Sequence, residues 1–159
     1  ASLHDLKLVI CGDIEKEHFT PGLATVRETI RTCGLQQQVV FTGYLDDETV
    51  CQLMNRATAL ALPSFAEGFG LPAVEAAACG TPVIATINSP LPELLEGGGI
   101  FIDPTDVASL TAAITRIFSD GQARQSLARA AQEQAARLTW SHAAESMIEL
   151  LRKVEAGLS

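Results

Sequence analysis

Glu67 and Glu75 stand eight positions apart in "SFAEGFGLPAVEAAACGTPVIAT" (residues 64–86), with a Gly-Phe-Gly-Leu-Pro turn between them. An ionised carboxylate accepts two hydroxyl hydrogen bonds well, so sugar or ribose diols suit both positions. Gly68 and Gly70 remove side chains where a ligand or another stretch of backbone must come close. A helix opening near Leu71 presents free amide donors in its first turn, where Pro72 is harmless, and carries Glu75 about one turn inside. Such a start favours an anion, most simply a phosphate. The two carboxylates then address opposite parts of one ligand whose phosphates lie at the helix start.

The same residues admit plainer readings. Glu75 as a solvated helix residue, Glu67 as a carboxylate favoured by the helix dipole, and the glycines as turn punctuation explain the pattern without a ligand. A glycosidase with paired acids is a third reading, since such enzymes hold two carboxyl groups about 5 to 10 Å apart. It leaves the phosphate-ready helix start without a purpose. The glutamate pair is not specific by itself.

The elements that must position these residues are legible as short apolar runs separated by helical periodicity. "LKLVICGD" (6–13), "QVVFTG" (38–43), "ATALALPS" (57–64), "PVIAT" (82–86) and "GIFIDP" (99–104) are too short for helices and apolar on both faces, as strands of a covered parallel sheet are. Leu23, Val26 and Ile30 share a helical register that stops at Gly34. Val50, Leu53, Met54 and Ala57 form another, opened by Asp46 or Asp47. A third helix runs from about Leu71 to Gly80, and beyond residue 104 the chain is helical throughout. Val107, Leu110, Ile114 and Ile117 mark one helix, Leu127, Ala131 and Leu138 a second, and Ala144, Met147, Ile148, Leu151 and Val154 a third. The expectation is an α/β fold, a doubly wound parallel sheet with C-terminal helices, in a single domain over 1–159. Ligands of such sheets bind where loops leave the carboxyl ends of the strands.

Composition narrows the class. Of 159 residues, 47% are apolar, which suits a packed core. The formal charge of −8 gives nonspecific nucleic-acid binding little support. No apolar run approaches the roughly 20 residues that span a bilayer, and no secretory leader opens the sequence, so a cytoplasmic location is expected. Cys11, Cys33, Cys51 and Cys79 show no metal-ligand spacing and read as reduced, mostly buried small hydrophobes. No Asp-x-Asp stands at a strand end, so no metal and no cofactor is expected. Trp140, after Thr139 as a possible cap, reads as a core anchor joining the last helices to the sheet, and His18 as an exposed loop histidine. Glu93 reads as a helix-start carboxylate.

"PSFAEGFGLPAVEAAACGTPVIAT" closely resembles the donor-site signature of retaining, nucleotide-sugar-dependent glycosyltransferases of family 4, also called group 1, which have the two-domain GT-B fold. "LVICGD", "VVFTGYLDDETVCQLMNRATALALPS", "PLPELLEGGGIFIDPTD" and "LTWSHAA" resemble successive blocks of that family's C-terminal domain. The resemblance implies that Glu67 contacts hydroxyls of the donor sugar and supports charge at its anomeric carbon. It implies that Gly68, Phe69, Gly70 and Leu71 turn their amides to the sugar and diphosphate, and that Glu75 holds the ribose. Gly43, Tyr44 and Leu45 then border the nucleobase, and Gly12 admits the nucleotide or the opposite domain. Transfer of a glucosyl or mannosyl group is typical of such relatives; a non-catalytic nucleotide-binding or regulatory domain and a GT-B nucleotide-sugar epimerase are the alternatives.

Members usually precede the "LVICGD" block with a strand and helix carrying an Arg and a Lys that bind the diphosphate, and with an N-terminal domain that binds the acceptor. The resemblance therefore implies a donor-binding part lacking the first βα unit and the N-terminal acceptor domain, inactive by itself. In a 3-2-1-4-5-6 strand order the lacking strand is central, so "LKLVI" and "TALAL" must pair directly or leave edges open. A homodimer, a swapped segment or strain is the expected consequence.

Overall fold

The computed structural model describes residues 6–12 and 20–157. Strand and helix alternate as β1 (Leu8–Cys11), α1 (Thr20–Thr32), β2 (Val39–Gly43), α2 (Asp47–Arg56), β3 (Leu60–Leu62), α3 (Leu71–Ala78), β4 (Val83–Thr86), α4 (Leu91–Leu94) and β5 (Gly99–Ile102), followed by α5 (Val107–Ser119), α6 (Gly121–Ala135) and α7 (Trp140–Gly157). All five expected strands are present and every pairing is parallel. The chain divides into two compact units, residues 1–52 and 53–159.

The first unit holds a two-stranded sheet. β1 and β2 run from Leu8 beside Val39 to Cys11 beside Gly43, with a register slip between Ile10 and Cys11. Its helix α1 ends as the sequence suggests: Gly34 takes φ +67, its N–H donates to Arg31 O, and the Leu35 N–H donates to Ile30 O. That pair of bonds satisfies two terminal carbonyls and needs a left-handed residue at 34. The Arg27 guanidinium of α1 lies 4.8 Å from the centroid of the Phe41 ring. The strands are less covered than their apolar character suggests, with Leu8 46% and Val40 46% exposed.

The second unit contains the core. β4 lies between β3 and β5, and all four of its residues are buried. Alternate side chains go to opposite faces. Val83 and Ala85 join Ala73, Ala76 and Ala77 of α3 with Ala131 and Ala135 of α6, while Ile84 joins Ile102, Ala113 and Ile117 on the other side. Both faces of the sheet are thus roofed by helices, as a parallel sheet requires. Asp106 and Asp120 start α5 and α6 by accepting from backbone N–H groups of their first turns.

Several expectations are corrected. Trp140 is 89% exposed, so it anchors no core: it opens α7, which has no buried residue, although Thr139 does accept from the His142 N–H at 3.1 Å. Leu138 falls beyond the end of α6. Cys11, Cys33 and Cys51, all in the thinly covered first unit, are exposed and only Cys79 is half-buried, because burial depends on what covers a residue and not on its apolar type. Among the described residues β1 pairs with β2, and β3 with β4. His4 and His18 lie outside the described residues. Among those described, no helix is long and apolar enough to cross a membrane.

Candidate functional site

The loop between β3 and α3 leaves the carboxyl end of a strand of the three-stranded sheet, the edge at which open α/β sheets take ligands. It carries Glu67, Gly68, Phe69 and Gly70, and α3 carries Leu71 and Glu75. All six expected residues of this group therefore belong to one strand–loop–helix connection. Gly12, Gly43, Tyr44 and Leu45 belong to the first unit, where the Gly12 N–H donates to Gly43 O at 3.0 Å and so joins the carboxyl ends of β1 and β2. Tyr44 is 77% exposed just past that edge.

Gly70 is the pivot of the loop. It is the residue before α3, with φ 79 and ψ 46, and a Cβ built on it would lie 2.7 Å from Leu91 Cδ1, a side chain that is wholly buried. Backbone conformation and packing both demand glycine there. A glycine has no side chain to cap the helix, and no cap hydrogen bond is made; Pro72 occupies the first turn, and the Ala73 N–H and Val74 N–H both turn to Gly70 O. Gly68 differs. A Cβ there would meet nothing within 4 Å, so no packing inside the chain calls for glycine at that position.

Glu67 is half-buried and held. The Ser64 hydroxyl donates to Glu67 Oε1 at 2.6 Å, and the Glu67 N–H donates to Asn88 O at 3.2 Å. Asn88, in the loop after β4, also donates from Nδ2 to Phe65 O at 3.1 Å. Glu75 is exposed on α3. Phe65, Phe69 and Leu71 are exposed apolar groups of the same connection, 77%, 43% and 55% accessible. Glu93 sits exposed in the single turn α4, a plain helix-start carboxylate.

Sequence reasoning passed over Ser64 and Asn88. Ser64 had a signal, since Ser-x-x-Glu before a helix is the pattern of a reciprocal cap. Here the serine and glutamate bond each other instead of the helix start. Asn88 lies 21 residues from Glu67 with no periodic relation to it, and only the sheet brings them together. Asp46 proves to be a cap: its Oδ1 accepts from the Thr49 N–H at 2.7 Å, and that bond holds its carboxyl below the ordinary range. Among the described residues, no group of three or more His, Cys, Asp or Glu is placed to hold a metal ion.

The sequence model of the glycosyl transferases group 1 family matches residues 1–134. The chain belongs to that family. Among curated group 1 relatives, the D-inositol 3-phosphate glycosyltransferase of Corynebacterium diphtheriae is 33% identical over 148 residues, 90% of this chain and 34% of its own length. Among solved structures, sucrose-phosphate synthase from Thermosynechococcus elongatus superposes with a TM-score of 0.81 at 30% identity, covering 95% of this chain and 39% of that one. HepE of Anabaena, solved in complex with UDP, superposes at 0.83 with 27% identity, covering 93% and 41%; the same protein is also solved with UDP-glucose. The chain thus spans about a third of the curated relative and about two fifths of the solved ones. Its α/β fold is that of the C-terminal half of the GT-B group 1 glycosyltransferases.

Proposed function

We propose that this chain is the donor-binding part of a retaining glycosyltransferase, which in its whole form transfers a hexosyl group, glucosyl or mannosyl, from a nucleoside diphosphate sugar to an acceptor bound by another domain. The observation that carries this reading is the β3–α3 connection. It combines a half-buried carboxylate held in place, a glycine at 68 with open space where a side chain would stand, and a helix start without a side-chain cap. UDP in the HepE complex is consistent with such a site.

In this reading the roles divide by position. Glu67 holds hydroxyls of the sugar, and its charge stabilises the positive character that develops at the anomeric carbon as the bond to the diphosphate breaks. The amides of Gly68 to Leu71 and the dipole of α3 stabilise the negative charge growing on the departing diphosphate. Glu75 holds the ribose diol. These groups bind, orient and stabilise charge, with no covalent nucleophile assigned. The bonds that break and form are those of the donor and acceptor.

Calorimetric titration of the chain with UDP, GDP and ADP, alongside Glu75→Gln, tests the reading. Saturable binding of one nucleotide, weakened about tenfold in the variant by loss of a charge-assisted hydrogen-bond acceptor, supports it. Equal binding of that nucleotide by both proteins refutes the ribose role of Glu75, and binding of none by the wild-type chain or its full-length parent refutes the donor site.

A further inference from the structure

Glu67 is held at two points, its carboxylate by Ser64 and its backbone N–H by Asn88. The Ser64 hydroxyl donates to Oε1 at 2.6 Å, within the range of about 2.5–2.7 Å for a hydroxyl on an ionised carboxylate. That bond uses one acceptor position of one oxygen and leaves Oε2 open to a ligand. The backbone is held separately, by the Glu67 N–H on Asn88 O and by Asn88 Nδ2 on Phe65 O. Asn88 is fixed in turn: its N–H donates to Oγ1 of Thr86, a wholly buried residue at the end of β4.

We infer that Ser64 and Asn88 are positioning residues for Glu67, Ser64 setting the direction of the carboxylate and Asn88 the place of the backbone that carries it. The inference rests on the reading of Glu67 as the sugar-binding carboxylate. A free glutamate side chain loses rotamer freedom when it binds, and a carboxylate already held has less to lose. Direction also matters for charge. A carboxylate contributes most to a developing positive centre when it is aimed at that centre before the reaction begins. A serine that only stabilised the loop would affect every ligand of the site alike.

The test uses Ser64→Ala, Ser64→Thr and Asn88→Ala with two readouts. The first needs no ligand: NMR relaxation of the Glu67 side-chain methylenes in labelled protein, assigned with Glu67→Gln. An ordered side chain in the wild type and Ser64→Thr that becomes mobile in Ser64→Ala and Asn88→Ala is the expected result; unchanged order in both loss variants overturns the inference. The second is titration with UDP and UDP-glucose. Ser64→Ala weakens UDP-glucose about tenfold and UDP less than twofold, with Ser64→Thr restoring the difference. Equal weakening of both ligands, or of neither, overturns it. Failure of both the wild-type chain and its full-length parent to bind either ligand refutes the sugar reading of Glu67, while the relaxation experiment still decides whether Ser64 and Asn88 hold it.

Discussion

β4 and β1 look alike as sequence, four apolar-rich residues before a polar turn, yet all of β4 is buried and β1 is mostly exposed. The difference is the number of neighbours. β4 has a strand on each side and helices on both faces, whereas β1 has one strand partner among the described residues. A two-stranded ribbon removes too little surface from water to be stable alone. Among the described residues the buried hydrophobic ones accordingly all lie between Ala73 and Ala135.

The largest expected effect that can break this comparison is truncation in the two units. Leu91→Ala, at a wholly buried position, should lower unfolding free energy by about 2–5 kcal/mol. Val40→Ala, at a half-exposed one, should lower it by less than about 1 kcal/mol. Urea unfolding of both variants checks this, and equal losses would remove the distinction between the units.

The two glycines of the site sharpen it next. Gly70→Ala adds a Cβ at positive φ against the Leu91 side chain and should cost about 1–3 kcal/mol. Gly68→Ala adds one into open space, so its thermal unfolding should match the wild type within about 0.5 kcal/mol while nucleotide-sugar affinity falls. A Gly68→Ala protein that binds normally would show that the position faces no ligand.

Smaller effects come from the helix starts. Asp120 accepts from the Gln122 and Ala123 N–H groups, and Asp120→Ala should cost about 1 kcal/mol in a thermal melt. The smallest expected effect is acid sensitivity. The Thr105 hydroxyl, then its N–H, hold the Asp103 carboxyl below its ordinary 3.8, and hydrogen bonds from Thr49 do the same for Asp46. A depressed folded pKa means a contribution fully present above 3.8 and lost as pH falls through the lower folded value. Stability should be flat in this respect down to about pH 5 and decline below pH 4, less steeply in Asp103→Asn, as unfolding curves across that range would show.

How much was legible follows the same physics. The strands, the helix stop at Gly34 and the start of α3 are written in local residue types, and each is found where those types place it. Glu67, the glycines and Glu75 were legible because they share one short connection. Trp140 and the cysteines were misread because apolar type was taken for burial, and burial depends on what else is present to cover a residue. The hold of Asn88 on Glu67 was invisible because it depends on pairing between strands far apart in the chain.

The alanine seam between α3 and α6 has a mechanical meaning. Ala73, Ala76 and Ala77 face Ala131 and Ala135 in one cluster, and nearby a Cβ on Gly98 would lie 2.4 Å from the Ala131 backbone. Such a seam has no long side chains to bend, so it works as a hard stop against which α3 is gauged. The two methyls that Ala131→Val adds to Cβ on α6 must therefore slide α3 along its axis or lever its first turn outward. An error of that kind reaches the Gly70 end of α3 undamped, and affinity can drift through residues that never approach a ligand.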